Sequence, residues 1–295
     1  MVEAPGRPGN TSVVLRRFLA RRLAVASLVV LLVVLLSSLV GGRLWRYGLA
    51  DITDEVSVGP SWQHPMGTDG NGVDLLALVL RGAQKSVQVA LLVALLSTTV
   101  GTLVGALAGY YRGLVDGLLM RATDLMLTIP GLAVLVVVAA RVRESGSWLL
   151  VAVVLAFLAW AQAARVVRGV FLSLREREFV DAARALGAGD RRIIIRHLLP
   201  NAAGPIIVNA TLTVAFAVLA ETALSYLGLG IREPDSSLGL LVSRGQQAAT
   251  TRPWLFYFPG LVILLITVTV NVVGDGIRAA FDPLTTVDRA GAGGE

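Results

Sequence analysis

The sequence predicts an all-α integral membrane protein with six transmembrane helices. Composition, the length of the apolar runs and the placement of basic residues carry that prediction. Of 295 residues, 55% are apolar and 16% charged, against about 45–50% and about 25% in a soluble chain. Mean hydropathy is +0.73. This excludes a disordered chain, and the absence of cysteine excludes a disulfide scaffold, a thiol nucleophile and an iron–sulfur cluster. Two histidines, His64 and His197, are too few for a multi-histidine metal centre, so no metal site is expected.

A helix needs roughly 20 apolar residues to cross a hydrocarbon core of about 30 Å. Six stretches meet this: 23–40, 87–108, 117–140, 148–164, 206–226 and 255–273. The first follows Arg16, Arg17, Arg21 and Arg22. Its apolar run exceeds the usual signal-peptide core of about 7–15 residues and no small-residue cleavage site follows, so it reads as an uncleaved span. Residues 1–12, with two Pro and two Gly, read as a disordered tail.

These spans divide the chain into a cytoplasmic tail (1–22), the first span (23–40), an extracytoplasmic loop (41–86), a core of five spans (87–274) and a second cytoplasmic tail (275–295). The core contains a cytoplasmic loop at 165–205 and an extracytoplasmic loop at 227–254. With the N-terminus inside, seventeen of the 26 Lys and Arg lie on the cytoplasmic side, as the positive-inside rule requires. Topology thus explains the net charge of +6 without a nucleic-acid partner. The outer loops carry Trp45, Tyr47, Trp62 and Trp254. Their bodies suit a receptor-facing surface, and Trp254 suits the lipid interface.

Several spans carry features beyond hydropathy. The second has Gly101, Gly105 and Gly109 at four-residue spacing, which lets two helix backbones approach closely; ordinary packing outweighs a gating role. In the third, Arg121 and Asp124 stand three apart and read as a local ion pair reaching toward water, and Pro130 should kink the helix. Glu221 in the fifth is an intramembrane carboxylate, open to proton coupling or to a structural hydrogen bond.

The cytoplasmic loop is the most informative segment. Phe179, Ala182, Ala183 and Leu186 fall at i, i+3, i+4 and i+7, one apolar stripe on a short helix whose other face holds Glu178, Asp181 and Arg184. Gly187 and Gly189 break that helix, and a second amphipathic piece over 191–199 leads into Pro200. Periodicity alone is compatible with a knob for a cytoplasmic groove and with a helix lying on the membrane surface.

Asp181-Ala182-Ala183, Gly187 and Leu199-Pro200 resemble the EAA loop, E-A-A-x3-G-x9-I-x-L-P, of ABC importer permeases, with Asp181 for Glu and His197 for Ile. Further patches in matching order resemble the oligopeptide/dipeptide/nickel-type permeases, specifically their C subunit. Residues 64–69 (His-Pro-Met-Gly-Thr-Asp) with Gly72 and Asp74 resemble H-P-x-G-T-D…G-R-D, with Val73 for Arg. Asp116, Arg121, Asp124 and Pro130 resemble the family's third span. Residues 219–228 resemble L-A-E-x-x-L-S-F-L-G, and Gly274 to Arg278 with Asp282-Pro283 resembles G-D-G-L-R-D-x-L-D-P, with Ala279 for Asp.

The resemblance implies a type I ABC importer fold in which this chain is half of the pathway. It would pair with a homologous B-type permease, two ATP-binding subunits (identical or of two kinds) and an extracytoplasmic solute-binding protein, in a bacterial-type inner membrane. Glu178, Asp181, Ala182, Ala183, Gly187, Leu199 and Pro200 would couple to an ATPase and do no chemistry. Glu221, Asp124 and Arg121 would be polar groups of the pathway. Peptides are the first expectation for cargo, with nickel or another small solute as the alternative.

A proton-coupled secondary transporter using Glu221 is the competing class; it predicts paired internal repeats with broken helices, and spans 1–3 and 4–6 show no such repeat. ATP and Mg are expected in partner subunits only. The single lysine, Lys85, lacks the glycines of a phosphate-binding G-x4-G-K-[ST] loop, with Val79 and Gln84 in their places. No G-x-S-x-G nucleophile elbow appears either, so the chain is expected not to be an enzyme.

Overall fold

A computed structural model describes residues 10–49, 51–141, 147–231 and 235–281. Most of the tail 1–12, the Asp282-Pro283 pair and Pro234 lie outside the described residues. Eleven α-helical segments follow in order: α1 Asn10–Leu19, α2 Arg22–Leu44, α3 Leu75–Tyr111, α4 Gly113–Thr128, α5 Gly131–Arg141, α6 Trp148–Arg175, α7 Glu178–Ala185, α8 Asp190–Arg192, α9 Leu199–Tyr226, α10 Leu238–Gln246 and α11 Trp254–Phe281. A π-helical turn, Ile193–Leu198, joins α8 to α9.

Five continuous helices among the described residues are long and apolar enough to cross a membrane: Arg22–Gly42, Leu75–Tyr111, Trp148–Arg175, Asp190–Tyr226 and Trp254–Phe281. The stretch predicted as the third span is not one kinked helix. It divides into α4 and α5 at Ile129-Pro130. Pro130 has no N–H to give the preceding turn, and the residue before a proline is driven out of the helical region; Ile129 has φ −74° and ψ 126°.

The helix that contains the predicted second span starts at Leu75, where the buried carboxylate of Asp74 accepts the Ala77 N–H at 2.8 Å and caps α3. At 37 residues α3 is about 55 Å long, longer than a hydrocarbon core of about 30 Å.

The core is α3 laid along α6, the most extensive helix contact, with α9 and α11 packed around them. Glycine makes that approach possible. A Cβ at Gly101 would stand 2.4 Å from Ala163 Cβ, one at Gly105 2.5 Å from the Ala164 carbonyl oxygen, and one at Gly109 2.7 Å from Phe171 Cβ. The three glycines therefore form the α3 side of the α3–α6 seam. The first span, α2, packs on α11 and α3 and leaves most of its surface bare.

Candidate functional site

The predicted loop between the fourth and fifth spans builds a projecting knob. Helix α6 ends at Arg175, Glu176 and Arg177 turn the chain, and α7 runs for eight residues. Gly187 stops it with φ +79°, its N–H bonding the Arg184 carbonyl at 2.9 Å while Ala188 N–H bonds the Ala183 carbonyl at 3.0 Å. A side chain at 187 would meet no atom within 4 Å, so the requirement there is conformational rather than steric.

The face of α7 turned to the bundle shares only Ala183 with the stripe read from the periodicity. Val180 and Ala183 are buried, in a cluster with Tyr110, Phe171, Ile193, Leu198 and Ala202. Phe179, Ala182 and Leu186 point outward, Leu186 being 87% exposed. A helix this short carries two adjacent apolar rows, 180/183 and 179/182/186, and only one can pack inward. Glu178 and Asp181 are exposed in its first turn, and Asp181 pairs with Arg184 at 3.2 Å.

The second piece is likewise not a separate helix. It is continuous with the fifth span from Asp190 through the π-turn to Tyr226. Leu199 N–H bonds the Ile194 carbonyl five residues back, and this widened turn precedes Pro200, whose ring would crowd a regular α-helical carbonyl. Asn201 Nδ2 donates to the His197 carbonyl at 2.6 Å.

Sequence reading missed the residue that ties the knob to the spans. Tyr110, 4% exposed at the C-terminal end of α3, donates from its hydroxyl to Asp190 Oδ1 at 2.6 Å. The guanidinium groups of Arg175 and Arg184 stand 5.6 and 6.0 Å from its ring centroid. One residue thus touches α6, α7 and α8. The only sequence signal was its place directly after Gly109, at the end of the glycine stripe.

Asp124 does not pair with Arg121. It accepts a 2.6 Å bond from Arg165 of α6, and Asp116 takes two bonds, 2.5 and 2.6 Å, from Arg168. Arg121 is exposed. The two aspartates clip α4 to α6, a tertiary pairing that local spacing could not show.

Glu221 is fully buried. Its oxygens accept bonds from Ser86 Oγ at 2.7 Å and Ser225 Oγ at 2.6 Å. Those hydroxyls in turn accept the Leu238 and Ile231 N–H groups at 3.4 and 3.3 Å. The carboxylate therefore anchors the 227–254 loop to α3 and α9. One residue away, Lys85 bonds Asp235 at 2.9 Å and lies 5.1 Å from the Trp148 ring centroid, while Arg81 bonds the same carboxylate at 2.7 Å. Burial would raise the Asp235 carboxyl, but the hydrogen bonds from Lys85 and Arg81 outweigh it and hold Asp235 below the usual carboxylate range.

At the end of the bundle opposite α7, His64 Nδ1 meets Asp74 at 2.8 Å, Asp74 accepts from Trp45 Nε1 at 2.9 Å, and the Tyr47 ring stacks on the imidazole at 4.6 Å. Arg252 donates to Ser57 Oγ at 2.6 Å. Trp254, half-buried at the start of α11, bonds the Thr68 carbonyl through its indole N–H at 3.3 Å, and its ring lies beside Gly67, which has φ +81°. The 45–74 and 227–254 loops therefore meet in one body, with Trp62 entirely exposed on its surface.

Residues 101–287 match the family described as binding-protein-dependent transport system inner membrane component, and residues 11–60 match the N-terminal transmembrane domain of oligopeptide transport permease C. The chain is 43% identical over 281 residues to the oligopeptide transport system permease protein OppC of Mycobacterium tuberculosis, covering 95% of this chain and 97% of the relative. A putative peptide permease protein of Brucella suis biovar 1 is 39% identical over 283 residues, with coverages of 95% and 93%. In fold, the chain resembles a chain of the inward-facing MetNI methionine ABC transporter, with TM-score 0.58 and 20% identity over 70% of this chain and 96% of that one.

Proposed function

This chain belongs to the binding-protein-dependent transport system inner membrane components, as a permease subunit of an ABC importer, and we propose that it is the C-type half of a pathway that imports peptides. The peptide assignment rests on the names of its relatives. The observation that carries the coupling mechanism is the outward apolar row Phe179, Ala182 and Leu186 on a helix whose other row is locked into the spans. An exposed apolar row on a projecting helix is suited to a hydrophobic groove in a partner subunit.

In this mechanism α7 sits in a groove of a separate ATP-binding subunit. Closure of two such subunits on ATP and Mg displaces α7. Val180 and Ala183 pass the displacement to Phe171 of α6 and Ile193 of the π-turn, and Tyr110 passes it to α3. The spans then alternate between inward- and outward-open arrangements around a pathway shared with a homologous B-type permease. The outer body built by His64, Asp74, Ser57 and Trp254 receives a solute-binding protein. The excess of Arg on the α7 side supports a cytoplasmic location for that side, and with it cytoplasmic termini.

Affinity purification of this chain from its native membrane in mild detergent, with subunit identification and an ATPase assay, tests the reading. It expects a second permease, two ATPase copies and hydrolysis raised by a peptide-loaded binding protein. A chain that runs alone and moves solute in proteoliposomes on a proton gradient without ATP would refute it.

A further inference from the structure

The cytoplasmic ends of α2, α9 and α11 do not close on one another. Between them and α1 lies a cavity of about 540 Å³, with Val14, Phe18, Leu28, Ile207, Val273 and Phe281 among its walls. All eleven lining residues are apolar. It is a groove open on the outside of the bundle rather than an enclosed void.

Basic residues flank it. Arg17 follows the lining residue Val14 by three and so shares its side of α1. The Arg21 N–H bonds the Phe18 carbonyl at 3.0 Å, which brings the corner carrying Arg21 and Arg22 within one turn of the cavity wall. Arg16 is exposed on the same helix, as are Arg21 and Arg22 at the corner. The sequence has no carboxylate between Glu3 and Asp51, and α11 contributes only Asp275 at this end, three residues from Arg278. Four arginines immediately cytoplasmic of a span are a pattern that attracts anionic headgroups.

We propose that this cavity seats one anionic phospholipid of the inner leaflet, an acyl chain between α1, α2, α9 and α11 and the phosphate against the arginines of α1 and the α1–α2 corner. The placement rests on the reading of the α7 side as cytoplasmic. The apolar walls supply the affinity for a chain, and the arginines supply selection among headgroups. The bound lipid fills the gap between α1 and the inner ends of α9 and α11, the helices that leave the coupling knob and close the core.

The test uses the assembled complex, extracted in mild detergent, with native mass spectrometry to count retained lipid and exchange against phosphatidylglycerol or phosphatidylcholine. An anionic lipid is expected to be retained and phosphatidylcholine not to replace it. Each single Arg→Gln change at 16, 21 or 22 is expected to weaken retention by about five-fold. Ala203→Phe, which fills the cavity from α9, is expected to displace the lipid while the arginines remain. Retention unchanged in the arginine variants, equal retention of phosphatidylcholine, or cross-linking of Leu15→Cys to a partner permease would overturn the proposal. Because the chain has no cysteine of its own, Ala20→Cys reports orientation cleanly. Labelling from outside would overturn the leaflet and the cytoplasmic reading of α7 together, whereas inside labelling with no lipid retained overturns the lipid seat alone.

Discussion

The hydroxyl of Tyr110 on α3 and the carboxylate of Asp190 on α8 are joined by a 2.6 Å hydrogen bond across eighty residues of sequence. It is a polar link between the C-terminal end of α3 and the segment that follows the α7 knob. A hydrogen bond to a charged group contributes about 1.5–3 kcal/mol. Tyr110→Phe keeps the ring and its packing and removes only the hydroxyl, which meets Asp190 and Arg184. Substrate uptake per ATP hydrolysed is expected to fall several-fold, with the complex still assembled. Uptake and hydrolysis that stay in their normal ratio would remove Tyr110 from the coupling path.

Gly187 tests the knob by conformation alone. Its φ of +79° costs a side chain of ordinary shape about 1–2 kcal/mol, with no clash added. Asn tolerates this region and a β-branched residue does not. Uptake is expected to rank wild type, then Gly187→Asn, then Gly187→Leu and Gly187→Val lowest, with membrane insertion unchanged. Normal uptake by Gly187→Val would disconnect this turn from transport.

Glycines 105 and 117 separate packing from propensity. At Gly105 a Cβ meets the Ala164 carbonyl oxygen at 2.5 Å, whereas at Gly117 it meets nothing within 4 Å. Gly105→Leu is expected to prevent α3 from seating on α6 and to abolish the folded protein. Gly117→Ala is expected to leave stability equal or raise it by up to about 1 kcal/mol, because glycine is a weak helix former. Thermal unfolding in detergent reads both, and a stable Gly105→Leu protein would refute the tight α3–α6 contact.

For Glu221, both oxygens accept hydroxyl protons from serines whose own lone pairs are taken by backbone N–H groups. Glu221→Gln presents an N–H where one hydroxyl needs an acceptor. A stability loss of about 1–3 kcal/mol is expected, with uptake surviving and no change in its dependence on a proton gradient. Abolished uptake in a protein of normal stability would point instead to a proton site.

The Asp235 pair sets a pH window. Its carboxyl is held below the usual value, so the native state favours the charged form more than the unfolded chain does. That contribution is fully present above the unfolded value of about 3.9 and is lost only as pH falls through the lower native one. The melting difference between wild type and Asp235→Asn should be flat from pH 7 to about pH 5 and shrink below about pH 4. A difference that disappeared already near pH 6 would contradict the double contact with Lys85 and Arg81.

The chain's own sequence determined the membrane class, the positions of most spans, the sided excess of arginine and the segment that projects between the fourth and fifth spans. These are local properties, because hydropathy over some twenty residues and glycine or proline punctuation act within one helix and its ends. The same locality misplaced what depends on a distant partner. The periodicity around Phe179 gave one apolar stripe, and only the pocket made by Tyr110, Phe171 and Ile193 decided that Val180 and Ala183 turn inward. Arg121 was the nearest cation to Asp124 in sequence, but Arg165, forty-one residues away, is the one α6 brings to it. The contact of Trp254 with Thr68, 186 residues away, is likewise one that only the fold supplies. Asp74 sets the start of α3, because a buried cap holds a helix end that hydropathy does not mark. In a bundle, the side of a helix that faces its neighbours is fixed by which helices are adjacent. That adjacency is carried by contacts as remote as α3 with α9, which no window along the chain contains.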